Sequence, residues 1–120
     1  MSGSPRSSMD ISCQTLETDI VLIRLNGRLD ATTSSGLKST LQSILEKGHR
    51  KIIVDLEKVP FIDSCGLVAL VSGLRLARAN QGEIFLSGIR PQAQAVFRLT
   101  MLDRIFPIHP TFDDARRSLI

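Results

Sequence analysis

A small hydroxyl group beside a carboxylate is the pairing in this chain best suited to chemistry. Asp63 and Ser64 are followed by Cys65 and Gly66, at the point where a β-rich run gives way to a helical pattern. Asp63 or Ser64 could cap that helix through a side-chain oxygen that accepts a backbone N–H. A helix N-terminus also favours an anion, so a phosphoryl group on Ser64 would be stabilised there. Two roles therefore stay open for Ser64, helix cap and phosphorylation site.

A buried strand and an amphipathic helix flank these residues. Residues 51–56 are rich in β-branched side chains, and Pro60 follows the run. Further along, apolar residues recur at the spacing of one helix face, at Leu67, Leu70, Val71, Leu74 and Ala77. These patterns predict a strand over 51–56 and a helix from Ser64 to about Asn80.

Further strands are predicted on both sides of this unit. Two runs with apolar side chains, at residues 11–16 and 21–25, are joined by a short polar link. This pattern predicts a hairpin of two strands. Residues 83–87 predict another strand. Residues 105–108 predict a short strand, which Pro107 confines to a sheet edge.

Three more helices complete the predicted elements. The hydroxyl cluster at 32–35 offers N-caps for a helix that ends at Gly48, and Pro91 suits the first turn of another. Thr111 and Asp114 resemble a capping box that opens the last helix. Strands interleaved with helices predict an α/β fold with a mixed sheet of four to five strands, covered by helices mainly on one face.

Length and composition fit one globular domain. The chain has 120 residues, of which 42% are hydrophobic and 22% charged. Residues 1–9 are mostly small and polar without periodicity, which predicts a disordered leader before a single domain at 10–120. No apolar run approaches the roughly 20 residues that span a bilayer, and no signal-peptide pattern opens the chain. A cytoplasmic protein without membrane contact is expected.

Several ligand classes find little support in the sequence. The net charge is +3, the fifteen Lys and Arg residues are scattered, and Trp and Tyr are absent, so no nucleic-acid surface is expected. Cys13 and Cys65 show no metal-ligand spacing with His49 or His109, so no metal site is expected. The glycines stand apart at turns, so the sequence requires no cofactor. Cys65 either fills the turn or responds to oxidants as a thiolate.

Catalysis by Ser64 is also not expected. A serine nucleophile needs a base within hydrogen-bond reach, whereas His49 follows a predicted helix end and His109 stands between prolines. Ile62 occupies the place of the first glycine in a Gly-x-Ser-x-Gly elbow. The sequence therefore favours a binding protein over an enzyme.

The run around Ser64 resembles the STAS domains of bacterial anti-sigma factor antagonists. Asp-Ser-x-Gly-Leu at 63–67 is preceded by Gly-Arg-Leu-Asp at 27–30 and followed by Gly-Glu-Ile-Phe-Leu at 82–86. The resemblance runs from about residue 10 to the C-terminus and implies a STAS-type fold. It also implies that a partner serine kinase, which is itself the anti-sigma factor, phosphorylates Ser64 and that a phosphatase reverses the step.

This resemblance implies a partner-binding surface around Ser64. The turn at 27–30 is expected near Ser64, where it helps bind the kinase. The residues expected to contact the partner are Asp30, Asp63, Ser64, Cys65, Gly66 and Val68. Cys65 stands where relatives usually carry Ser or Thr, which leaves Ser64 as the hydroxyl of the motif. Val68 stands where relatives often have a small residue, and is either a specificity contact or an incidental apolar residue.

A phosphoserine at position 64 would sit among the carboxylates of Asp30 and Asp63. We expect it to block docking by charge and bulk, with little refolding. Helical spacing also places Arg75 on the flank of Ser64 and Val68, either at the rim of a partner contact or in solvent. The alternative function is a STAS scaffold or adaptor in a stress-signalling or transport-associated assembly.

Overall fold

A computed structural model describes residues 9–17 and 19–119, and its centre is a five-stranded sheet. The strands are β1 (Met9–Glu17), β2 (Ile20–Gly27), β3 (Lys51–Lys58), β4 (Glu83–Ser87) and β5 (Ile108–His109). Their order across the sheet follows their order in the chain. The β1–β2 hairpin is antiparallel, and β2 to β5 run parallel to one another. The predicted mixed α/β sheet is confirmed.

Helices connect the parallel strands, as their crossovers require. They are α1 (Ser34–Glu46), α2 (Ser64–Ala79), α3 (Pro91–Leu99) and α4 (Phe112–Ser118), with a short 3₁₀ turn at Leu102–Arg104. Pro91 opens α3, and Gly48 follows α1 with a φ of +95°, as predicted. The Thr111 hydroxyl accepts from Asp114 N at 3.1 Å and donates to its carboxylate at 3.0 Å, so the last helix is capped as expected. Within the described residues, no helix is long and apolar enough to cross a membrane.

The two faces of the sheet are covered unequally. Alternate residues of β2 point to opposite faces, so that Ile23 lies in the larger core and Leu22 in the smaller one. The larger core joins the sheet to α1, α2 and α3, while Ala115 of α4 packs on the opposite face. Helices therefore cover mainly one face, as predicted.

Two predicted boundaries shift. Residues 1–8 of the predicted leader lie outside the described residues, whereas Met9 begins β1, pairs with Gly27 and is buried. The edge strand occupies Ile108–His109 and excludes Phe106, whose ring packs 5.8 Å from that of Phe97. Core packing thus holds Phe106 out of the sheet.

Candidate functional site

A short parallel pairing joins the turn after β2 to the segment that leads into α2. Leu29 N donates to Phe61 O at 3.0 Å, and Asp63 N donates to Leu29 O at 3.1 Å. Leu29 and Ile62, which form this bridge, are both buried. The turn at 27–30 is therefore fixed beside the Ser64 motif by backbone hydrogen bonds.

Gly66 makes this close approach possible. A Cβ at this position would lie 2.5 Å from Leu29 O and 2.8 Å from Leu29 Cγ, far inside van der Waals contact. Gly66 is itself buried. Its lack of a side chain serves this packing, and its expected contact with the partner stays a prediction.

Asp63 caps α2 and leaves the neighbouring hydroxyl unused. Its backbone is extended, and its Oδ1 accepts from Gly66 N at 3.0 Å. Ser64 is the first residue of the helix, is exposed, and makes no hydrogen bond through its hydroxyl to any residue that the structure describes. Of the two candidate caps, Asp63 takes the role. The Ser64 oxygen stands uncommitted at a helix N-terminus.

Asp30 is held in a network of hydroxyl groups. Its Oδ1 accepts from Thr32 N at 3.0 Å and from Thr32 Oγ1 at 2.7 Å. The buried Thr33 hydroxyl accepts from Asp30 N and donates to Arg28 O, both at 2.9 Å. Thr33 occupies the N-cap position of α1, yet its side chain makes no capping bond there. The hydroxyl cluster, predicted to supply a helix cap, instead fixes the turn that carries Asp30.

These donors act on the acidity of Asp30. The Thr32 hydroxyl, above all, holds the pKa of the Asp30 carboxyl below its ordinary value, while desolvation opposes the shift. The Thr32 amide, the Thr33 hydroxyl and the charge of Arg28 add to the lowering. Asp30 is therefore a carboxylate at neutral pH.

We expect the substitution Thr32→Val to raise the pKa of Asp30, because it removes the leading donor without changing the branched side-chain shape. A ¹³C NMR titration of the side-chain carboxyl measures this shift. Asp30 adds stability above the pKa of the unfolded chain, and this contribution is lost as pH falls through the lower folded pKa. The variant should therefore lose less stability below about pH 4. Arg28→Gln, the control, should raise the pKa less, and an unchanged pKa in Thr32→Val would contradict the assignment.

A groove of about 410 Å³ runs along α2 from the Ser64 hydroxyl. Its lining residues are Ser64, Leu67, Val68, Val71, Ser72, Arg75 and Leu102. Val68 is 57% exposed, and Arg75 is also exposed. The structure thus brings Ser64, Val68 and Arg75 together along one surface, as their helical spacing indicated. Cys65 is exposed beside it.

An apolar corner follows α3 and was not predicted. Leu99 is 84% exposed and Met101 is 59% exposed, while Leu102 reaches into the groove. Met101 has a φ of +63°, a left-handed conformation that is uncommon for its residue type. Leu99 lies outside the apolar stripe of Ala93, Val96 and Phe97 on this helix, and this spacing was the available signal that it faces solvent.

A second unpredicted contact ties α3 to the entry of α2. The Gln92 side chain accepts from Ile62 N at 2.9 Å through Oε1 and donates to Ile62 O at 3.1 Å through Nε2. The backbone of Ile62 is thereby satisfied on both sides. Gln92 thus holds in place the backbone segment that leads to Ser64.

Other reactive side chains lie elsewhere. The ring of His109 stands 6.3 Å from that of Phe85, and its Nε2 lies 3.4 Å from Ser118 Oγ. In the part of the chain that the structure describes, no histidine is hydrogen-bonded to Ser64. No group of three or more His, Cys, Asp or Glu side chains there is arranged to hold a metal ion.

Comparison with known proteins gives consistent matches in sequence and structure. The family model of the STAS domain matches residues 14–115. The chain is 28% identical over 102 residues to the anti-sigma-B factor antagonist of Staphylococcus aureus, covering 84% of this chain and 94% of that protein. The crystal structure of TM1081 from Thermotoga maritima matches with a TM-score of 0.84 and 28% identity, covering 90% of this chain and 92% of that one. An anti-sigma-factor antagonist (STAS) domain protein from Planctomyces limnophilus matches with a TM-score of 0.77 and 25% identity, covering 92% and 97%.

Proposed function

Because this chain belongs to the STAS domain family, we propose that it is an anti-sigma factor antagonist that works as a cytoplasmic binding switch. In this proposal it captures a serine kinase that acts as an anti-sigma factor, and phosphorylation of Ser64 ends the capture. A phosphatase restores the binding form, and the chain itself has no catalytic role. The names of its S. aureus and P. limnophilus relatives support the assignment.

The state of the Ser64 hydroxyl carries this proposal. A kinase positions an acceptor oxygen in line with the transferred phosphoryl group, so the acceptor must be exposed and uncommitted. Ser64 is exposed, and Asp63 has taken the capping role that would otherwise occupy it. The new phosphate would also meet the free N–H groups at the start of α2.

The groove beside Ser64 offers the partner an apolar contact. Val68 and the exposed corner at Leu99 and Met101 present apolar side chains that a folded monomer gains nothing by exposing. Leu102, the residue after Met101, lines the groove together with Val68. We assign Val68 to the partner contact. The other proposed contact residues are Asp30, Asp63, Ser64, Cys65 and Gly66.

The charge around Ser64 accounts for release. Asp30 and Asp63 already place two carboxylates at this end of α2. A phosphoserine adds roughly −1.5 to −2 charges at neutral pH. A partner surface that accepts two carboxylates and a neutral hydroxyl would then bury unmatched negative charge, which costs several kcal/mol. Release therefore needs no change of fold.

Phosphopeptide mass spectrometry on the protein from its native cells tests the proposal. We expect the peptide that contains Ser64 to carry a phosphoryl group, and phosphatase treatment to remove it. A Ser64→Ala bait should then recover a serine kinase, and a Ser64→Ala/Val68→Asp bait should recover less of it. Unmodified Ser64 across growth and stress conditions would overturn the switch and favour the scaffold function.

A further inference from the structure

Arg28 is a cation on the turn that pairs with the Ser64 segment, and it contacts a ring and a carboxylate. Its guanidinium carbon lies 4.1 Å from the centroid of the Phe61 ring, and its Nε lies 3.6 Å from Asp30 Oδ2. A guanidinium group carries five N–H donors, and none of those on Arg28 makes a hydrogen bond to a residue that the structure describes. Stacking on Phe61 occupies one face of the group. Its edge carries the donors, of which Nε lies toward Asp30.

The pairing of the two segments brings Arg28 within reach of Ser64. The bridge between Leu29 and Ile62 sets Arg28 level with Phe61, on which it stacks. Ser64 is three residues beyond Phe61, so their Cα atoms are at most about 10 Å apart even in a fully extended chain. An arginine side chain and a phosphoserine side chain that point toward each other cover such a distance. The side chain of Arg28 is 53% exposed and therefore has room to turn.

Within the 27–30 turn and the segment from Asp63 to Arg75, the two cations are Arg28 and Arg75. Asp30 and Asp63 are both acceptors, and each carboxylate is already engaged through its Oδ1. Cys65 contributes a thiol, and Arg75 lies three helical turns further along α2. A phosphate on Ser64 would therefore face two carboxylates, the N–H groups at the helix start and the guanidinium of Arg28.

We propose that Arg28 clamps the phosphoryl group of phosphorylated Ser64. The guanidinium exchanges its long contact with Asp30 for two parallel hydrogen bonds to phosphate oxygens, the bidentate geometry that arginine favours. The Phe61 ring guides this exchange because the group can slide while it remains stacked. The clamp stabilises the phosphorylated form and shields its phosphate from a phosphatase. This inference rests on the proposed modification of Ser64.

A ³¹P NMR titration of the protein with phosphoserine inserted at position 64 during translation tests the clamp. The second pKa of a phosphoserine is near 6, and a bound cation lowers it because the dianion is favoured. We expect Arg28→Gln to raise this pKa by about 0.5 unit, as for an interaction at a partly exposed site. Arg28→Lys, which keeps the charge without the planar fork, should recover part of the lowering.

Arg75→Gln is the matched control, because it removes the same charge from the same surface at a greater distance. It should leave the pKa within about 0.1 unit of that of the parent protein, since screening weakens charges beyond roughly 10 Å. An unchanged pKa in Arg28→Gln, or an equal shift in Arg75→Gln, would overturn the clamp. No kinase takes part in the titration, so this result is separate from the search for phosphate on Ser64 in cells.

Discussion

Replacing Gly66 by alanine is expected to lower the free energy of unfolding by about 3 kcal/mol. The added Cβ would lie 2.5 Å from Leu29 O, and this oxygen already accepts a hydrogen bond from Asp63 N. Neither backbone segment can move away without breaking the pairing that holds the 27–30 turn beside α2. Urea unfolding followed by circular dichroism measures the loss.

Gly36→Ala is the matched control for this change. Gly36 is also helical, but the nearest atom to its added Cβ is Ile11 Cδ1 at an ordinary 3.8 Å. Alanine there should be neutral or should stabilise the protein by up to about 1 kcal/mol through its higher helix propensity. If the alanine variants at Gly66 and Gly36 were equally stable, the close approach at Leu29 would not be what requires glycine.

Phosphorylation of Ser64 is expected to weaken binding of the captured kinase by about 100-fold or more. Like charges brought together at an interface cost several kcal/mol, and each 1.4 kcal/mol corresponds to about a tenfold change in Kd. Ser64→Asp, with a smaller charge, should lose about tenfold. Isothermal titration calorimetry with the partner recovered by the Ser64→Ala bait measures both values.

Ser39→Asp separates this local effect from a general effect of added negative charge. Ser39 is exposed on α1, away from the groove, and the substitution changes the net charge by the same amount as Ser64→Asp. Its affinity should match that of the parent protein. Equal affinity of the phosphorylated and unmodified forms would contradict the switch, while an equal loss in Ser39→Asp would contradict its local mechanism.

Local patterns were sufficient to predict most of the elements. The strand at 51–56 follows from its β-branched content and the helix from Ser64 follows from its apolar period, and both are present as β3 and α2. The free hydroxyl of Ser64 was harder to predict, because Asp63 and Ser64 are equally good caps by residue type. Only the backbone at Asp63 decides between them.

Contacts between distant segments were beyond the reach of sequence patterns. The closeness of the 27–30 turn to Ser64 was expected only through the family resemblance. The pairing of Leu29 with Ile62 and the hydrogen bonds of Gln92 to Ile62 were not expected. Leu102 lines the groove from a 3₁₀ turn that follows α3. The sequence pattern predicted a strand at 105–108, just after this turn, but did not predict the turn itself. Such contacts depend on how elements pack, and a polar residue such as Gln92 gives no periodic signal of its partner.

Each strand of the sheet after β1 is synthesised later than a strand beside which it lies, because spatial order follows chain order. Domains generally fold as units, so the surface around Ser64 is complete only when the whole domain has left the ribosome. Ser64 emerges before Gln92, whose side chain completes the support of Ile62. On a nascent chain, the Ser64 sequence is therefore exposed before the folded surface around it is complete. In the proposed switch, a kinase that recognises the folded surface would leave unfinished chains unmodified.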